Sequence, residues 1–139
     1  MQKWVLVGNA WQLAYTLNAG LNLGQTYSIP GYPTGINPVT GLAWAPAADG
    51  LRNITGKVNR DGTVTIYAIT STVSGATDQG ADPNQLVVIT DRLSFASATA
   101  AAGEAFKTLR TAESGAVLRG VSFPPAELPF LPFIGNDSH

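Results

Sequence analysis

Apolar and polar residues alternate most clearly in the middle of the chain. Residues 51–58, 63–72 and 85–91 form three strand-like runs in succession. The first two are separated by Asn59-Arg60-Asp61-Gly62, and an Asp-Gly pair is a strong hairpin signal because glycine supplies positive φ at no steric cost. In the second run Val64, Ile66, Ala68 and Thr70 alternate with Thr65, Tyr67, Ile69 and Ser71. Both sets carry apolar groups, which predicts a strand covered on both faces. Residues 105–111 alternate again and are predicted to add a fourth strand to this meander. The alanine-rich stretch before them, 94–103, has the propensity for a short helical turn, although isolated short helices are marginal.

The flanks repeat the theme less completely. Residues 3–7 are predicted as a short apolar strand. Residues 11–17 alternate with period 2 and put Trp11, Leu13, Tyr15 and Leu17 on one core-facing side. Another short strand is expected at 25–29. Prolines 30, 33, 38 and 46 and glycines 31, 35 and 41 make 30–46 a long loop, with a brief extended piece at 42–44. Residues 74–84 are a polar loop, and 117–123 are a last strand ended by Pro124-Pro125. The tail, 124–139, carries the apolar, proline-broken run 128–134. It either packs on its own domain or docks on a neighbour.

Three segments recur in the same order. Gln12-Leu13-Ala14-Tyr15-Thr16 matches Gln85-Leu86-Val87-Val88-Ile89; Gly24-Gln25-Thr26-Tyr27 matches Gly103-Glu104-Ala105-Phe106; and Leu51-Arg52-Asn53-Ile54-Thr55 matches Leu118-Arg119-Gly120-Val121-Ser122. The offsets are 73, 79 and 67 residues, unequal because the loops differ. The chain thus reads as one all-β domain, 1–139, made of two approximate units at 3–50 and 51–123.

On residues 51–56, the 61–67 hairpin, Ala81-Asp82-Pro83-Asn84-Gln85-Leu86-Val87 and residues 118–124, the chain resembles the blade repeats of secreted β-propeller proteins. The resemblance implies antiparallel four-stranded meanders stacked as propeller blades, with a β-sandwich as the alternative, and an extracellular location. It carries no catalytic motif. Closed propellers have about 4–8 blades, and this chain holds about two. The resemblance therefore implies a homo-oligomer that completes a ring, or a part of a larger propeller. Exposed strand edges favour pairing with another copy.

Composition narrows the partners. Only 12% of the 139 residues are charged, about half the globular average of roughly 25%. The net charge is -1 with no Lys/Arg cluster, which argues against nucleic acid and anionic membrane surfaces. The absence of cysteine removes disulfides, thiolate metal sites and Cys nucleophiles, and the one histidine is the terminal His139. No apolar run approaches the roughly 20 residues of a membrane span. Residues 1–7 begin like a secretory leader, but Gly8-Asn9 and Gln12 interrupt the run before the 7–15 apolar residues of an h-region, so a strand is expected there.

Candidate chemistry is sparse. Asp78, Asp82 and Asn84 cluster oxygen atoms in one loop and are the candidate ligands for Ca²⁺. Their spacing fits neither the EF-hand loop nor a nonapeptide calcium repeat, and Asp, Gly and Asn commonly serve as turn residues. Asp61-Gly62 is read as a turn, not an Asp-box of sialidases, which separates its Asp and Gly by one residue. Nine carboxylates fall mostly in loops, and nothing in the sequence selects a catalytic pair. Trp44 and Tyr32, in the proline-rich loop, are the candidate stacking surfaces for a carbohydrate or peptide ligand, whereas Trp11, Tyr15 and Tyr27 are expected in the core. Asn53-Ile54-Thr55 and Asn136-Asp137-Ser138 fit the N-glycosylation pattern. Two readings of function follow: a non-catalytic binding or scaffold module that self-associates, and a fragment or subunit of a carbohydrate-active hydrolase using loop carboxylates.

Overall fold

Two antiparallel sheets account for the regular structure of residues 1–124, which the computed structural model describes apart from the Gln79 side chain. Strands β1 (Gln2–Val7) and β2 (Ala10–Thr16) form a hairpin. Strands β3 (Ala47–Val58), β4 (Thr63–Val73), β5 (Gln85–Arg92) and β6 (Lys107–Thr111) form a four-stranded meander in sequence order. The fold is all-β, and no α-helix occurs among the described residues. The alanine-rich segment makes successive turns, with Ala101 N–H donating to Ser97 C=O and Glu104 N–H to Ala101 C=O. The expected hairpin turn closes with Gly62 N–H on Asn59 C=O. Gly62 alone takes positive φ there, at 79°, while Asp61 accepts from the N–H and hydroxyl of Thr63.

Alternation assigns the two faces of the large sheet. Ile66 pairs with Ile89 and Ala68 with Val87, so these four share one face. They pack with Leu51, Tyr15, Leu17, Leu21, Ala101 and Phe106 in the main core. The hairpin base therefore lies over this face. Tyr67, Ile69, Leu86 and Val88 line the other face, where the Phe123 ring meets Tyr67 edge-on at 5.7 Å. Strand β4 is covered on both sides, as its pattern predicts.

Three expectations change. The face of Trp11, Leu13, Tyr15 and Leu17 divides: Tyr15 and Leu17 are buried, but Trp11 is 66% and Leu13 47% exposed. Lys3 pairs with Tyr15 and the adjacent Trp4 with Leu13, which leaves Ala14 unpaired. Such a bulge bends the hairpin, and its outer half receives no cover from the described residues. Trp4 and Leu6 are accordingly 49% and 57% exposed. The strand expected at 25–29 reduces to one bridge, Thr26 to Ala47, because Gly24 and Tyr27 donate to Ala48 and Pro46. This segment runs beside the start of β3 and does not extend the hairpin. Residues 117–123 form no ladder either. Side chains hold them: Asn84 binds both backbone groups of Leu118, and Asn53 donates to Arg119 C=O. The apolar tail, the second glycosylation triplet and His139 lie outside the described residues.

Candidate functional site

Two polar clusters form where loops meet the large sheet. The first gathers most of the residues singled out in the sequence. Pro83 cannot donate to a ladder, and it precedes β5 in a loop that carries a 3₁₀ turn at Gln79–Ala81. This loop buries Asp82 and Asn84 almost completely. Tyr32 donates its hydroxyl to Asp82 Oδ1 at 2.7 Å, and Tyr27 donates to Pro83 C=O at 2.8 Å. Burial, and then the Asp82 carboxylate, pushes the Tyr32 hydroxyl up to about 12; burial and Asp82 also raise that of Tyr27. Both phenols therefore remain donors at neutral pH. Asn84 is spent on structure: its amide donates to Thr70 C=O and Leu118 C=O, and its oxygen accepts from Leu118 N–H.

The structure thus brings Tyr32, proposed for ligand stacking, onto Asp82, proposed for calcium. It leaves Asp78 exposed in the same loop. Asp82 Oδ2 is buried without a hydrogen-bond partner among the described residues. Among these residues no group of three or more His, Cys, Asp or Glu side chains is placed to hold a metal ion. Trp44 is half-buried, and its backbone N–H donates to Gly35 C=O. Beside this cluster a groove of about 550 Å³ runs between loop 27–30 and the end of β6. Tyr27, Ser28, Gln85, Thr111 and Glu113 give it polar walls, and Ile29 and Pro30 apolar ones. Its size falls within the range of small-ligand pockets, roughly 300–1,000 Å³. Sequence reasoning did not find the groove, since its walls come from three separate segments, at 27–30, 85 and 111–114.

The second cluster was not legible at all. Lys3 forms a salt bridge to Asp91 at 3.0 Å and donates to Tyr15 Oη and Arg92 C=O, each at 2.8 Å. Tyr15 donates to the other Asp91 oxygen. Burial and then this carboxylate raise the Tyr15 hydroxyl above its ordinary range. Glu104 Oε1 accepts from Arg92 N–H, while Oε2 lies buried without a donor among the described residues, close enough to Asp91 to feel its charge. Burial, then the contact with Asp91, raises the Glu104 carboxyl. Cavities of about 170 and 340 Å³ open on Glu104.

A raised carboxyl costs stability in its charged form. The cost is absent below the ordinary glutamate range, near pH 4, and complete above the raised value. Glu104→Gln keeps the acceptor for Arg92 N–H and supplies an amide donor to Asp91. It is expected to stabilise the protein by about 1 kcal/mol at pH 7, the lower end of the cost of one orphaned buried polar atom. Thermal unfolding at pH 7 and pH 4 checks this; a gain that does not shrink at pH 4 contradicts it.

No family model, curated protein or solved structure matches the chain.

Proposed function

We propose that the protein is a non-catalytic binding or scaffold module of β-propeller type that associates with copies of itself. The observation that carries this reading is the hairpin, whose outer half presents Trp4, Leu6, Trp11 and Leu13 to solvent. Contiguous exposed apolar side chains mark association surfaces, and sheet edges that end unpaired are templates for another strand. The stacking of the hairpin on the four-stranded meander fits blades packed face to face. The groove beside Tyr27 is the place for a carbohydrate or peptide, where polar walls meet a short apolar strip. Light scattering on a size-exclusion column tests the association. A mass above the 14.5 kDa of one chain is the expected result, and a clean monomer across the concentration range removes the reading.

The hydrolase reading has one observation in its favour: the Glu104 carboxyl lines a cavity and lies beside that of Asp91. A raised carboxyl suits a general acid. However, Asp91 commits one oxygen to Tyr15 and the other to Lys3, which leaves it poorly placed to act as a nucleophile. Hydrolysis of a glycan panel that Glu104→Gln abolishes would carry that reading instead.

A further inference from the structure

We propose that residues 117–123 of one copy add as a third strand to the free edge of β1 in the next copy, joining the chains head to tail. This rests on the self-association reading and states which parts meet. Among the described residues β1 pairs only with β2, and its other edge is unoccupied. Charge does not guard that edge: the one lysine of β1, Lys3, folds its ammonium onto Asp91. In the large sheet the position corresponding to that edge is filled. There β3 lies along β4, with Leu51 opposite Thr70, Arg52 opposite Ile69 and Thr55 opposite Tyr67.

Leu118-Arg119-Gly120-Val121-Ser122 resembles the Leu51-Arg52-Asn53-Ile54-Thr55 segment of β3, with Leu and Arg identical and the next three residues similar in kind. Asn53 sits where the register of β3 shifts, between Arg52 and Thr55, and takes φ of 52°. The matching Gly120 does not take positive φ in the unpaired segment, but glycine can enter that left-handed region without steric cost. A strand built from 117–123 can therefore carry the same bulge.

Placement agrees with sequence. Leu51 of β3 packs on the core that Tyr15 and Leu17 of the hairpin help to form. Residues 118–123 stand in the same relation to the large sheet: Asn84 and Asn53 hold their backbone, and Phe123 meets Tyr67. The segment is thus already stacked on one sheet, in no ladder, as β3 is stacked on the hairpin. A hairpin from the next copy that pairs with it would lie over the face of Tyr67, Leu86 and Val88, and would bury its own exposed apolar side chains. Main-chain bonds of an added strand give the affinity in this mode of recognition. The contact is heterologous, so it propagates to a ring or to an open filament.

The repeat fixes a register. Leu13 matches Leu86, and these residues pair with Trp4 and Ile69. Arg52 faces Ile69, so Arg119 faces Trp4 and Leu118 faces Val5. At the other end Thr16 matches Ile89, which places Phe123 opposite Gln2 by way of Ile66 and Gly56.

The cysteine-free chain makes a direct test clean. Val5→Cys and Leu118→Cys are prepared singly, checked by circular dichroism, mixed and oxidised, with wild-type mass read in parallel by light scattering. The expected result is an oligomeric wild type and a disulfide joining residues 5 and 118 in the mixture, identified by peptide mass. Gln2→Cys with Phe123→Cys is the second pair and decides the matter if a variant of the first fails to fold. An oligomer whose mixtures yield neither cross-link overturns this pairing while leaving self-association intact. A monomeric wild type overturns both.

Discussion

Replacing Asn84 by alanine is expected to lower folding stability by about 4 kcal/mol, a large part of the 5–15 kcal/mol of a typical domain. Asn84 is fully buried at the start of β5, and its side chain makes three hydrogen bonds. Two bind the C=O and N–H of Leu118, and the third binds Thr70 C=O. Truncation orphans these backbone groups, each at a cost of roughly 1–3 kcal/mol where water cannot reach, and opens a cavity as well. Asn84→Asp is expected to fare little better, because a carboxylate keeps the acceptor but has no donor for either carbonyl. Urea unfolding measures the loss, and amide exchange at Leu118 locates it. A deficit under about 1 kcal/mol, well below these combined costs, would show that 117–123 is held by something other than Asn84.

The second large effect concerns Lys3. Lys3→Met is expected to cost about 3–5 kcal/mol at pH 7, as removal of one partner from a buried ion pair does. The side chains of Lys3 and Asp91 are 15% and 6% exposed, so the remaining carboxylate would be poorly solvated. Tyr15 still donates to it, but Glu104 lies on its other side. Asp91→Asn removes the uncompensated charge and should restore part of the deficit at pH 7. Urea unfolding of the four members of this cycle reads the coupling. A deficit that Asp91→Asn does not reduce would mean that Lys3 acts only through the packing of its stem on Tyr15, whose ring centroid lies 5.1 Å from the ammonium.

Much of the meander was legible because its signals are local. Alternation in β4 and β5, the Gly62 turn and the prolines of 30–46 act within a few residues of themselves. The same reasoning failed where a local pattern needed a partner. Residues 25–29 and 117–123 alternate like strands, but a strand exists only beside another. The first found the start of β3, and the second found the side chains of Asn84 and Asn53. Trp11 and Leu13 share the pattern of Tyr15 and Leu17, yet the sheet ends before it reaches them. Among candidate site residues, loop composition drew attention to Asp82, Asn84 and Tyr32. It did not reveal that Tyr32 and Asp82 bind each other across 50 residues, or that Asn84 is a structural clamp.

By itself the sequence determined the all-β class, the order of the four central strands and the covering of β4 on both faces, because backbone φ and side-chain alternation follow from neighbouring residues. Only the tertiary structure decided which carboxylates meet. Asp91 acquires Lys3 from 88 positions away and Tyr15 from 76, and Glu104 comes to lie beside them. Those encounters depend on how the hairpin stacks on the sheet. Stacking is set by the summed burial of side chains from both elements, a quantity that no single stretch of the chain contains.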